Sequence, residues 1–266
     1  MSSLGTALAD GSVVAKRNLI KIKRIPDLLV GTLISPIMFI LLFGYVFGGA
    51  IDVPGVNYRE FLVPGIFAQT VIFGATITGA GLADDMQKGI IERFRSLPMA
   101  QSAVLVGRTT SDVATNVIVT VIMSLTGLVV GWRIRNSVLD AVIAYGLLLL
   151  FAYAISWCMA LLGLLIRTPE AFNNLTFITI FPLTFLTNGF VPIESYPAAL
   201  KAIAAWNPVS TLVQSVRERF GNVGPDSGAT SWALQNAELY TLAWIVLILL
   251  VFVPLATRQY QRAAAR

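Results

Sequence analysis

The sequence predicts an all-α integral membrane protein with six transmembrane helices and cytoplasmic N- and C-termini. Three observations carry this. Of 266 residues, 56% are hydrophobic and 12% charged, whereas a soluble domain averages about 25% charged residues. So few charges on so much apolar surface call for lipid as the main solvent. Six apolar segments, at about 28–48, 61–83, 103–131, 138–166, 172–190 and 239–256, approach or exceed the roughly 20 residues that cross a bilayer core. The cations are also unevenly shared between alternate loops. Five lie in the N-terminal segment, four between Lys88 and Arg108, one at Arg167 and three in the tail, so 13 of the 19 fall on the side of the termini. The other side holds Arg59, Arg133, Arg135, Lys201, Arg217 and Arg219. This bias sets the termini and the stretch 84–98 in the cytoplasm.

Taken in order, residues 1–27 form an N-terminal segment. Lys16, Arg17, Lys21, Lys23 and Arg24 fall on one arc of a helical wheel, with Leu8, Val14, Leu19, Ile22 and Ile25 opposite. An interfacial amphipathic helix on an anionic leaflet explains this, as does a simple topogenic charge cluster. Residues 28–266 form one transmembrane domain. The first span carries Pro36, expected to kink it. The second holds Gly74, Ala75, Thr78, Gly79 and Gly81, small residues that let helix backbones approach. Arg108 and Asp112, one turn apart, open the third span as an i,i+4 pair. Trp132, Arg133 and Arg135 mark its other end, where an indole suits the headgroup layer. The fifth span is the most polar, with Thr176, Thr179, Thr184, Thr187 and Asn188. Polar groups in lipid face protein or a watery cavity, so these residues are the candidates for lining a substrate path; hydrogen bonding at a dimer seam accounts for them equally. Between spans five and six, 198–206 and 208–220 read as two helices too short to cross, able to dip into the outer leaflet.

The run 84–98, DDMQKGIIERFRSLP, is the longest charge-dense stretch between apolar segments. At about 100° per residue, Met86, Ile90, Phe94 and Leu97 share one face, while Asp84, Asp85, Lys88, Glu92 and Arg95 share the other. Arg93 departs from the pattern, and Pro98 would stop the helix. A short amphipathic helix with an acidic start suited to the helix dipole follows.

Much chemistry is excluded. There is no histidine, which removes imidazole bases, triads and the commonest metal ligand. The single cysteine, Cys158, lies in an apolar run and reads as a small buried hydrophobe. No GxxxxGK[ST], GxSxG or HExxH is present. Asp84-Asp85, with only Glu92 nearby, falls short of a metal site. The net charge of +5 sits beside apolar spans, without the basic, aromatic-interleaved stripe that nucleic acid needs.

Two blocks carry a resemblance. Lys88-Gly89-x-x-Glu92-Arg93-Phe94-Arg95-Ser96-Leu97-Pro98, followed by Gly107-Arg108, is one; Pro182, Gly189, Pro192, Tyr196-Pro197, Asn207-Pro208 and Arg217 form the other. At this spacing in a six-span chain they resemble, over the whole length, the type-2 family of ABC transporter permeases, membrane subunits of bacterial exporters. The family often has Thr and Leu where Ile90 or Ile91 and Phe94 stand here, which leaves the apolar face intact. The loop from Gly189 to Phe220 is most similar to daunorubicin-resistance-type drug and lipid exporters. The resemblance implies that 84–98 is a coupling helix seated on a separate ATPase subunit, through Lys88, Gly89, Glu92, Arg93, Phe94, Arg95, Leu97 and Pro98. It implies an outer-leaflet re-entrant hairpin after span five and a second permease, identical or paralogous. ATP and Mg would be held by the ATPase partner, with no cofactor on this chain. The location implied is the bacterial plasma (inner) membrane. The function expected is export of a drug, antibiotic or lipid; a lipid-linked polysaccharide exporter of the same family, an ion-coupled transporter and a membrane enzyme are the alternatives.

Overall fold

A computed structural model describes residues 26–51, 53–89, 101–166, 168–224 and 231–263. Among these, every regular element is a helix. The basic arc of the N-terminal segment, and Glu92, Arg93, Phe94, Arg95, Leu97 and Pro98, lie outside the described residues.

Helix α1 (Pro26–Leu41) accommodates Pro36 and widens into a π-helical stretch, Leu42–Phe47. Helix α2 (Tyr58–Gln87) is capped by Asn57, whose side chain accepts from the Arg59 amide at 3.0 Å. Helices α3 (Gln101–Val130) and α4 (Val138–Leu165) follow; Ser137 caps α4 through the Asp140 amide at 3.2 Å. Helix α5 (Pro169–Phe185) has Thr168 as its cap and Pro169 in its first turn. A single 3₁₀ turn, Ile193–Ser195, leads to α6 (Ala198–Trp206) and α7 (Pro208–Phe220), then α8 (Trp232–Gln235) and α9 (Ala237–Ala263).

Among the described residues four helices, α2, α3, α4 and α9, are long and apolar enough to cross a membrane. The apolar part of α1 is shorter, Leu33–Phe47. The predicted fifth span is shortened: α5 has 17 residues, roughly 26 Å at the α-helical rise, against about 30 Å for a hydrocarbon core. Its end has a local cause. Asn207 Nδ2 donates to the carbonyls of Leu183 and Leu186 at 2.8 and 2.9 Å, satisfying oxygens that a longer helix would have used. Thr187 and Asn188 therefore lie in the turn beyond α5 and not on it.

The least apolar of the four long helices, α2, is the most buried: 83% of its apolar window is enclosed, against 22% in α9. Polarity explains this. Glu60, Gln69, Thr70 and Thr78 are all buried on α2, and in lipid such groups are favoured against protein. Its longest contact is with α4, at a crossing where a Cβ on Gly163 would meet the Gly79 carbonyl oxygen and one on Gly79 would meet the Met159 carbonyl and the Phe172 ring. Small residues at this crossing let the two backbones touch.

Two local readings change. The helix expected to start at Asp84 does not start there. Asp84–Gln87 form the last turn of α2, and Gly89 breaks the helix at φ 64°. The two aspartates thus sit at a helix C-terminus, where the dipole disfavours them, and basic side chains offset that cost. Trp132 is not turned to headgroups. It is fully buried, edge-on to Phe67 and Phe220, with its indole N–H donating to Asn222 Oδ1 at 2.7 Å. Asn222 in turn donates to the Arg133 carbonyl at 2.9 Å, tying the α3–α4 loop to the end of α7. Replacing Asn222 with Leu strands a buried donor, so a loss of about 2 kcal/mol is expected, read as a lower unfolding midpoint in detergent.

Candidate functional site

At the end of α2 that leads into 90–100, charges bind α2 to α3. Lys88 pairs with Asp84 at 2.7 Å along the helix and is itself exposed, a pair of the kind worth little by itself. Arg108 of α3 forms an ion pair with Asp85, with both side chains largely buried. The pairing expected within α3, Arg108 with Asp112, is not the one made. The guanidinium instead crosses to α2 over Gly81, where a Cβ would collide with it. One and two turns further along α3, Asp112 and Asn116 continue the same face, and Asn116 meets α2 at Gly74. Leu82, Leu105, Trp157 and Tyr260 close the apolar layer below, bringing the end of α9 to this corner. Of the residues predicted to engage a partner, Lys88 and Gly89 are placed here, at the mouth of the segment.

The opposite end is held by one buried arginine. Arg217 of α7 is 2% exposed. Its Nε and Nη2 donate to the Phe61 carbonyl at 3.1 and 2.9 Å, and Nη2 also donates to the Asn188 carbonyl at 3.0 Å. The guanidinium lies 3.7 Å from the Phe61 ring centroid. Asn188 donates onward to Gln214 at 3.2 Å, and Tyr58 donates to the Phe190 carbonyl at 2.9 Å. Helix α7, the turn after α5 and the start of α2 are thereby one unit. A cavity of about 440 Å³ opens beside it, reached by Asn188, Gln214 and Arg217. In the last turn of α7, Arg219 bridges Asp140 at 2.8 Å and Glu238 at 2.7 Å; these carboxylates, Asp140 first, hold its guanidinium above its ordinary range.

Between the two ends, α1, α2 and α5 frame a groove, also of about 440 Å³. Phe39, Phe73, Phe177, Phe181 and Phe185 line it, with Ser35, Gln69 and Thr70 as its polar side chains. Phe177 tilts against Phe181 at 4.9 Å, Phe181 stacks on Phe185 at 4.1 Å, and Phe185 stacks on Phe190 at 5.0 Å. The predicted path residues sit differently. Thr184 and Thr187 are buried and bond backbone carbonyls of their own segment. Thr176 is buried, with its hydroxyl unpartnered. Thr179 is exposed, bonding Leu175, and Asn188 belongs to the Arg217 unit. The aromatic wall went unnoticed in the sequence; its signal is phenylalanine at i,i+4 spacing, 177, 181 and 185 on α5, and 39, 43 and 47 from α1 into the π-helical stretch. Among the described residues no cluster of potential metal ligands occurs.

Comparison with known proteins matches residues 11–220 to the ABC-2 type transporter family. The chain is 34% identical over 202 residues, covering 76% of it and 71% of the relative, to a daunorubicin resistance ABC transporter permease protein, DrrB1, of Streptomyces coeruleorubidus. It is 25% identical to the probable doxorubicin resistance ABC transporter permease protein DrrC of Mycobacterium tuberculosis, covering 71% of this chain and 68% of that one. It is 24% identical to a putative transport permease, ycf38, of Cyanophora paradoxa, over 90% of this chain and 83% of the relative.

Proposed function

This chain belongs to the ABC-2 type transporter family, and from that premise we propose that it is the membrane-spanning permease subunit of an ATP-driven exporter for a hydrophobic or amphiphilic substrate, a drug, antibiotic or lipid. The observation that carries the substrate class is the aromatic groove of α1, α2 and α5, mostly apolar on its walls and polar at Ser35, Gln69 and Thr70. Such a surface takes flat or greasy molecules and offers little to a bare ion. Drug-resistance permeases among the relatives support the same reading.

The full arrangement proposed is six spans in a bacterial plasma membrane, with α1 and α5 completing the set and both termini cytoplasmic. Residues 1–27 lie along the inner interface and 28–266 form the transmembrane domain. A separate ATPase subunit binds ATP and Mg and hydrolyses the nucleotide. A second permease, identical or paralogous, pairs with this one along the α1–α5 face, whose Phe177 and Ile178 are exposed. Glu92, Arg93 and Arg95 engage the ATPase, together with Lys88 where the chain leaves α2; Gly89, Phe94, Leu97 and Pro98 shape and seat the segment. ATP-driven closure of the ATPase pair moves this segment, and α2 and α3 carry the displacement to the groove. Thr176, Thr179, Thr184, Thr187 and Asn188 lie beside that route on the α5 side.

The test is transport in inside-out vesicles holding the permease and an ABC ATPase subunit that co-purifies with it. Daunorubicin and a fluorescent phospholipid serve as probes. Uptake is expected to require ATP. Glu92→Lys is expected to lower uptake per ATP hydrolysed by about tenfold, within ordinary site–site coupling, at normal abundance of the folded chain. Wild-type uptake by that variant removes Glu92 from the role. One observation favours a second reading: Asp112 is a buried acid in a long apolar helix, as ion-coupled transporters use. Uptake that survives ATP depletion and collapses with a protonophore selects that reading.

A further inference from the structure

We propose that Asp112 is a second seat for the Arg108 guanidinium, making the α2–α3 seam a two-position ionic latch that must change seats for transport to follow ATP hydrolysis; this rests on the permease reading above. In the present conformation Arg108 holds Asp85. Asp112, one helical turn along α3 on the same face, is 9% exposed, and its Oδ2 has no hydrogen-bond partner. A buried carboxyl with an oxygen that lacks a donor is penalised in its charged form until a cation is brought to it. Retaining one in an intramembrane helix points to use, and the partner within reach is a cation four residues away.

The seam is built for the exchange. Opposite the face of α3 that carries Arg108, Asp112 and Asn116, helix α2 presents Gly81, Thr78 and Gly74. The Arg108 side chain occupies the space a Cβ at Gly81 would fill, and the Asn116 amide occupies that at Gly74. Asp112 lies between these two crossings, at the level of Thr78, whose hydroxyl is also buried and unpartnered. Asp112 is a single helical turn from Arg108 on the same face, a distance that the long, flexible arginine side chain spans by rotation about its own bonds. Asp85 stands two residues before the end of α2, and Gly89 marks where the chain departs toward 90–100. A pull on that segment acts first on the turn bearing Asp85. As Asp85 withdraws, Arg108 keeps a carboxylate partner only by moving to Asp112. The latch has two discrete positions, so a small displacement at the mouth of the segment becomes a defined change inside the bilayer. Asp112 is thus a positioning residue for coupling and touches no substrate.

The two seats predict different consequences for two isosteric variants, assayed as complexes with the ATPase in inside-out vesicles with daunorubicin. Asp112→Asn removes the vacant seat. Daunorubicin moved per ATP hydrolysed is expected to fall at least tenfold, with the unfolding midpoint of the complex unchanged or raised. Asp85→Asn removes the occupied seat and is expected to lower that midpoint. Asp112→Asn with wild-type drug moved per ATP overturns the latch, and so does a fall accompanied by a lowered midpoint, which marks Asp112 as structural. If the wild-type complex shows no ATP-dependent uptake of either probe, the permease reading fails instead, and the midpoints alone still test which carboxylate Arg108 holds at rest.

Discussion

Gly163→Val is expected to abolish folded protein at physiological temperature. A Cβ at this position of α4 would stand against the carbonyl oxygen, carbonyl carbon and Cα of Gly79 on α2. Those are backbone atoms of a helix that is itself enclosed, so no rotamer change relieves the clash and the helices must part. Parting them undoes the contact of the two most buried long helices. Overpacking in a tight core costs about 1–3 kcal/mol and more where nothing can yield; with two extra methyls on an already excluded Cβ and only backbone to displace, the expectation is a cost beyond that range, comparable with a whole domain's stability of about 5–15 kcal/mol. Gly146 is the control on the same helix. Nothing lies within 4 Å of a Cβ built there, so Gly146→Ala removes a helix-weakening residue and is expected to be neutral or to stabilise by up to about 1 kcal/mol. Monodisperse yield and unfolding midpoint in detergent measure both. Wild-type behaviour of Gly163→Val would refute the close crossing.

Arg217→Met is the second large effect. Methionine fills much of the arginine's volume but donates nothing, leaving the Phe61 and Asn188 carbonyls without their donors. Hydrogen bonds from a charged group contribute about 1.5–3 kcal/mol each, and three converge here, so a loss of about 3 kcal/mol or more is expected. Arg217→Lys is expected to recover only part of it. An ammonium is a point donor and lacks the planar fork that reaches two carbonyls while lying on the Phe61 ring. The α6–α7 hairpin should loosen first, so faster amide exchange over Pro208–Phe220 in either variant, with α4 unaffected, is the local signature. Equal protection in wild type and Arg217→Met would show that the arginine does not fasten the hairpin.

Different parts of this architecture were legible to different degrees, for physical reasons. The short helices 198–206 and 208–220 could be read to the residue because their ends are local: Pro197 and Asn207-Pro208 act on their own neighbours. The long apolar helices were legible from composition, although α2 begins earlier than expected because Asn57, a polar residue in a loop, caps it. The boundary at Asp84 was not legible. Amphipathic periodicity, with Arg93 the exception, runs from Asp84 to Leu97, and a wheel cannot register that Gly89 takes a left-handed φ. The partner of Arg108 was hidden for another reason. Asp112 is four residues away and obvious, whereas Asp85 is 23 away and comes into reach only once α2 and α3 are set antiparallel. In α5 the threonines drew attention as polar atoms in an apolar run, yet most satisfy themselves on their own backbone. The phenylalanines that form the groove carried no contrast against so much other hydrophobic sequence.

That α2 is both the most enclosed and the least apolar of the long helices has a consequence for how the chain is made. A ribosome delivers α2 to the translocon well before α4, its chief neighbour, has been synthesised. Glu60, Gln69 and Thr78 must then wait, either beside lipid or within the insertion machinery, for the segments that will shelter them. Biogenesis is therefore most fragile between the emergence of α2 and that of α4, and insertase or chaperone dependence should concentrate in that interval.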